Sequence, residues 1–415
     1  MLAGWRWQAR WRCVGAFRGG IILITALTSF ERVKAAVEHR EADRVPFDLG
    51  GTTLTGINKK AYVNLRRFLG LQVDVEQVVI DDTMQQLALV EDDVRSRLKC
   101  DVRSVMPTAS TKSPLLVPTH IEGSDYKFTD EWGLGWRMPL DGGLYFDMYK
   151  APLAHVTTFE EIKNFPWNDP ADSVRFTTIR ERADGIVFEE KTAYILGRQF
   201  AGIFEIALWM RGFENFFSDL VSNPGMAEGL MDIILDLKYQ YWEKALEAAG
   251  ENVLLVAEAD DLGTQERLLV SPKMYRKYIK PRHKKLVEFI KSRAKNKVYI
   301  FFHCCGAIAD ILPDLIECGI DILNPWQVSA HGMDTHEFKR NFGKDITIWG
   351  GGCDTQSILP RGTPQQVRDE TKRRIEDLAP GGGFIFNPVH NIQGDVPPEN
   401  IMAMWETWDM YGKYG

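Results

Sequence analysis

The sequence predicts an α/β protein folded as a (β/α)8 barrel, and three observations point to it. Eight short, apolar, β-rich runs alternate along the chain with stretches of helical periodicity, the rhythm of a closed parallel barrel rather than of a doubly wound sheet. Polar and soft side chains gather at or just past the carboxyl ends of these runs, where barrels of this kind carry their chemistry. The 415 residues, 45% hydrophobic and 26% charged, suffice for one large core with insertions.

Taken in order, the chain opens with Met1 to Leu27, which carries Arg6, Arg10, Arg12 and Arg18, no acid, and the apolar run GGIILITAL. The run is too short to span a bilayer and no clean small-residue cleavage site follows it. Residues 1–27 are therefore expected to lie outside the fold, and residues 28–415 to form the barrel. Thr28 or Ser29 can cap a helix through FERVKAAVEH, in which Phe30, Val33, Ala36 and Val37 recur at helical spacing. The first strand is expected at Asp43 to Leu49, although Pro46 cannot donate to a central ladder. Glu91 to Lys99 closes a helix and Asp101 to Met106 forms a second strand. Ser124 to Lys150, with Trp132, Gly133, Gly135, Trp136, Gly142 and Gly143, has the turn chemistry of an inserted β-hairpin region that would cover or line the mouth.

Strands follow at 192–198, 252–261, 297–306, 320–325, 345–352 and 383–388. The helices between them are expected at 202–247, with a break near Asn223-Pro224-Gly225, and at 272–293, 308–317, 335–341 and 363–378.

The net charge of -7 gives no basic footprint for nucleic acid. Six cysteines, two of them adjacent, do not form a disulfide framework in so long a chain, which favours a reducing cytoplasm; the short apolar run near the start implies no membrane partner.

Chemistry concentrates in KVYIFFHCCG. Val298 to Phe302 is too short for a helix and ends in His303, Cys304, Cys305 and Gly306. His303 and Cys305 are two apart, so both leave the strand end on one side, as ligands of one metal must. At the other strand ends stand Glu258 and Asp260, Asn324 and Gln327, Cys353 and Asp354, and His390 and Asn391. A zinc site of mixed sulfur and nitrogen ligands with one open position would use them. The acids after Ala257 serve equally well as turn caps, Cys353 as a buried thiol after glycines, and His390 as a hydrogen-bonded structural histidine. Gly381-Gly382-Gly383 precedes a strand instead of opening a helix, so it is not a phosphate loop.

From about Thr28 onward the chain resembles the uroporphyrinogen decarboxylase superfamily, and within it the corrinoid-dependent methyltransferases. The stretches that carry the likeness are HREADRVPFDLGGT, GIFEIALWMRGFENF, EADDLGTQ, FFHCCGAIADILPDLIECGIDILNP, GGGCDTQ and GGFIFNPVHNIQGDVPPENI. Decarboxylases of this superfamily bind porphyrin carboxylates through an arginine-rich motif; the matching Phe47 to Gly56 has no arginine. The methyltransferases have a His-x-Cys zinc motif, matched here by His303 and Cys305, and a later cysteine as third ligand. Here His390 stands at the equivalent place and Cys353 one strand earlier, so the third ligand is open between them, with His390 favoured.

The resemblance implies a methyltransferase that moves a methyl group from a small methoxylated or methylated compound to a corrinoid (cobalamin) protein, with zinc as Lewis acid. Glu258 or Asp260 would supply a proton or a further ligand. The alternatives are a metal-free decarboxylase and a non-catalytic zinc- or corrinoid-binding subunit.

Overall fold

The computed structural model describes residues 26–113 and 117–415, so nearly all of the expected N-terminal extension lies outside the described residues. Seven parallel strands form one curled sheet. In spatial order they are Val102–Val105, Ala193–Leu196, Leu255–Ala259, Tyr299–His303, Ile322–Asn324, Thr347–Trp349 and Phe384–Ile385. All seven fall inside the runs read from the sequence.

The eighth staves position belongs to the segment around Phe47, which closes the ring. Phe47 makes a parallel bridge to Phe386, the Asp48 N–H donates to the Phe386 carbonyl at 2.9 Å, and on the other side the Asp101 N–H donates to the Phe47 carbonyl at 2.8 Å. Pro46 explains why this remains a single bridge: it has no N–H to extend the ladder.

Strand alternation divides the core in two. Leu255, Ala257, Tyr299, Phe301, Ile322, Trp349 and Ile385 pack together inside the barrel. Val256, Ile300, Phe302 and Ile348 belong to the larger core beneath the helices. Helix Ser29–Val37 plugs the amino-terminal mouth, placing Val33, Ala36 and Val37 against the interior cluster. Thr28 caps it in a reciprocal capping box with Glu31. Arg32 on this helix pairs with Asp43 and with buried Asp101, both at 2.7 Å, tying the plug to the start of the barrel.

The Leu27 carbonyl accepts a hydrogen bond from Arg32 Nη2 at 2.8 Å. Removing residues 1–25 is expected to leave the thermal unfolding midpoint nearly unchanged. A large drop in the truncated chain would place the boundary further upstream.

The insertion is larger than a hairpin. His120–Glu122, Asp125–Thr129, Gly135–Pro139 and Asp147–Lys150 form a four-stranded antiparallel sheet. It stands over the carboxyl-terminal mouth, with Phe128, Trp136 and Phe146 facing the cavity below. The long helical tract breaks at Asn223 as expected and also at Gly212, whose φ of +82° ends the helix Ile203–Arg211. No described helix is long and apolar enough to cross a membrane.

Candidate functional site

The interior face of strand Tyr299–His303 carries Tyr299, Phe301 and His303, so the last residue of the strand points into the mouth. Cys305 follows two residues later on the same side, with its Sγ 3.3 Å from His303 Nε2. Cys304, between them, is buried in the core beneath the helices. His390, in the loop beyond the last strand, sets its ring 5.2 Å from that of His303 at 74°. One potential ligand atom from each of His303, Cys305 and His390 lies within 4.8 Å of the others.

The two histidines are not equally ready to ligate. His303 Nδ1 donates to Asn324 Oδ1 at 2.6 Å, and Asn324 is fixed in turn by donating to the Trp349 carbonyl at 2.7 Å. The amide oxygen accepts only, so the ring proton sits on Nδ1 and Nε2 presents its lone pair toward Cys305. His390 Nδ1 instead accepts the N–H of Asn391 at 2.7 Å, which puts its proton on Nε2. That contact has to give way before either nitrogen of His390 can bind an ion.

Burial sets the electrostatics. It pushes both His303 and His390 down to about 3, so both rings are neutral at physiological pH. It also raises the Cys305 thiol well above its usual range, with Asp261 adding to the effect. Two neutral imidazoles and a thiol that ionises only beside a cation make a donor set suited to a borderline divalent ion.

Around this cluster opens a cavity of about 1040 Å³. Among the described residues its walls carry seven carboxylates and two guanidiniums, Arg175 and Arg198. Arg175 is spent on a salt bridge to Glu131. Asp261 stands beside the cluster: its Oδ1 accepts the Cys305 N–H at 2.8 Å and lies 3.7 Å from His303 Nε2. Glu205, also on the wall, is raised well above the ordinary carboxylate range by burial and by the charges of Asp261 and Asp260.

Glu258 and Asp260, the acids expected to serve the site, face elsewhere. The register pairs Ala259 with His303 and Glu258 with Phe302, so Glu258 sits on the outer face of the sheet. There it forms a buried ion pair with Lys238 at 2.8 Å and accepts the indole N–H of Trp242. Asp260 caps the helix Ile203–Arg211 by accepting the N–H groups of Phe204 and Glu205 at 2.9 and 2.7 Å, and it meets His283 at 2.7 Å. The acid that reaches the cluster is Asp261, whose neighbours were the ones singled out from the sequence. Ala257 lies in the interior cluster and Ala259 is in register with His303, and this alternation of small residues was the signal that could have found Asp261.

Cys353 is likewise not brought to the cluster. Its thiol is fully buried beside Thr371, Glu370 and Arg374 on the helix Pro364–Leu378, and burial holds its pKa far above the usual range. Asp354 accepts the N–H groups of Gln356 and Ser357 and so closes a turn. Gln327 holds the Gly306 N–H at 2.7 Å, and Asn391 holds the Gly56 N–H at 2.6 Å. Glu205, Arg198, Phe200 and Trp209 were not singled out from the sequence, because distant segments supply them, whereas Trp132 and Trp136 belong to the insertion expected to cover or line the mouth.

Gly306 positions Cys305. Its φ is +93°, and a Cβ there would come within 2.5 Å of the Gly263 backbone. Gly306→Ala is expected to cost about 1–3 kcal/mol, read as a lower unfolding midpoint. An unchanged midpoint would show that the two loops can part without penalty.

A family model described as uroporphyrinogen decarboxylase matches residues 144–411. Among curated relatives, the methylated-thiol–coenzyme M methyltransferase of Methanosarcina mazei is 26% identical over 200 residues, 48% of this chain and 49% of that protein. The methylcobamide:CoM methyltransferase of Methanosarcina barkeri is 26% identical over 198 residues, 48% of this chain and 53% of that protein. The chain thus spans about half the length of these two relatives. A uroporphyrinogen decarboxylase of Pseudoalteromonas translucida is 23% identical over 274 residues, 62% of this chain and 71% of that protein. A solved methyltransferase structure from Methanosarcina mazei superposes with a TM-score of 0.61 at 19% identity, covering 93% of this chain and 99% of that one. This likeness supports the barrel fold.

Proposed function

Because the chain belongs to the uroporphyrinogen decarboxylase family, with methyltransferases and decarboxylases both among its relatives, we propose that it is a corrinoid-dependent methyltransferase. It takes a methyl group from a small methoxylated or methylated compound and passes it to the cobalt of a corrinoid held by a separate protein. The observation that carries this reading is the convergence of His303, Cys305 and His390 at the carboxyl-terminal mouth. These residues would hold zinc, with a fourth position open. When bound, zinc supplies a Lewis acid for the leaving oxygen or nitrogen of the methyl donor.

The chain's own residues prepare that site. Asn324 fixes the His303 tautomer, and Asp261 anchors the backbone of Cys305. Glu205 and Asp261, in place of Glu258 and Asp260, are the acids on the cavity wall available to hold a proton near the leaving group. The decarboxylase alternative fits less well. Of the two wall arginines that could hold a porphyrin's carboxylates, Arg175 is already paired with Glu131.

Metal analysis of the purified protein, followed by a screen of methyl donors with a reduced corrinoid protein, tests the proposal. About one zinc per chain and methylation of the corrinoid are expected; protein with no bound metal and no transfer from any donor overturns it. His390→Ala should lose both metal and transfer, whereas Cys353→Ala should keep most of the metal. The reverse result would make this a two-cysteine site suited to thiol activation. Asn324→Ala is expected to weaken metal affinity about 10- to 100-fold by releasing the His303 ring, measured by competition with a chelator.

A further inference from the structure

Two neighbouring helices on the outside of the barrel carry opposite charge. On the helix Pro224–Ala249 the exposed ionisable side chains are Asp232, Asp236, Glu243 and Glu247 against one cation, Lys244. On the helix Lys280–Arg293 they are Lys284, Lys285 and Arg293 against one acid, Glu288. Each helix returns the chain between neighbouring parallel strands, so the two run in the same direction. Their contacts also fix the register. Arg282 meets Asp232 at 2.8 Å, the Tyr239 and Phe289 rings lie 4.4 Å apart between centroids, and Arg293 stands 3.6 Å from Glu243. All three contacts share one offset of 50 residues along the chain, so the residues at equal height on the two helices are known.

Within one chain this arrangement leaves charge uncompensated. Asp236 sits one turn from Asp232, a like-charge spacing that costs helix stability. Partial burial and the Asp232 charge together raise the Asp236 carboxyl above its usual range. Among the described residues Asp236 and Lys285 form no salt bridge. The Glu243–Arg293 pair has both side chains 53% exposed, so it contributes little to the isolated chain and is free to exchange partners. Between the two charged rows Tyr239 and Phe289 are half-buried, packed against the core below. Aromatic rings at the centre with charges around them are the make-up of an association surface.

We propose that these two helices form a self-complementary docking surface for a second copy of this chain. A two-fold axis parallel to the helices and midway between them lays the acidic row of each copy on the basic row of the other. Because the helices share direction and register, Asp236 then stands at the height of the second copy's Lys285, and Glu243 at the height of its Arg293. Tyr239 and Phe289 of both copies close the centre. The surface belongs to the outer layer of helices, so the inference does not depend on the chemistry proposed at the mouth.

Sedimentation equilibrium of the full-length chain over a dilution series at low salt tests this. A reversible equilibrium between monomer and dimer is expected, weakened by added salt, which screens exposed charge pairs. Asp236→Lys and Lys285→Asp should each weaken dimerisation roughly tenfold or more, because two-fold symmetry repeats every lost pair and sets like charges opposite one another. The double variant exchanges the two charges and should restore the dimer, a result that misfolding cannot imitate. Arg373→Glu is the control, an exposed charge on the helix Pro364–Leu378, and should leave the dimer unchanged.

A chain that sediments as a monomer at every concentration overturns the proposal. So does a dimer that neither single reversal weakens, or one that both reversals weaken and the double variant fails to restore while its far-ultraviolet circular dichroism matches wild type.

Discussion

Cys305→Ala is expected to empty the proposed metal centre and to lower methyl transfer by roughly a thousandfold, equivalent to about 4 kcal/mol of transition-state stabilisation. The sulfur sits 3.3 Å from His303 Nε2, placed to share an ion with that nitrogen's lone pair. Losing the thiolate removes the one donor whose negative charge balances a divalent cation against two neutral imidazoles. Cys304→Ala is the control, because Cys304 is buried in the core beneath the helices. It should keep the metal while losing some stability from the cavity it leaves. Elemental analysis of the two variants, with corrinoid methylation followed spectrophotometrically, separates the cases. Equal metal content in wild type and Cys305→Ala would remove Cys305 from the centre.

Glu258→Ala is expected to destabilise the fold by about 3–5 kcal/mol, because it leaves the buried Lys238 ammonium without its counter-charge. The pair is almost fully enclosed, with side-chain exposures of 2% and 1%, and the Trp242 indole N–H loses its acceptor in the same step. Urea unfolding measures the loss directly. Glu258→Gln keeps an acceptor for Trp242 but removes the charge, so it should fall between wild type and Glu258→Ala in stability. Metal content should match wild type in both variants. A glutamine variant of wild-type stability with abolished methyl transfer would instead return Glu258 to the role of a catalytic acid.

The alternation of apolar runs with helical periodicity was enough to place the barrel strands, since the pattern depends only on which residues must be buried and at what period. The strand expected at Asp43 to Leu49 does not form; isolated bridges at Arg44 and Phe47 stand in its place, and Pro46 has no N–H to extend them into a ladder. The pairing of His303 with Cys305 was legible for the same local reason: two residues apart at a strand end, they leave on one side wherever the strand lies. Spacing alone could not say which side faces the mouth on a neighbouring strand. Glu258 and Asp260 share a face as His303 and Cys305 do, but the register sets Glu258 beside Phe302 and Ala259 beside His303. A shift of one residue exchanges inside for outside, and only hydrogen bonding between strands fixes it. The choice between His390 and Cys353 was likewise tertiary: both stand near strand ends, but barrel closure brings His390 to the cluster and leaves Cys353 against a helix. The aromatic wall of the cavity joins residues from the inserted sheet to Phe200 and Trp209, and no local period in the chain encodes a contact across that sequence distance.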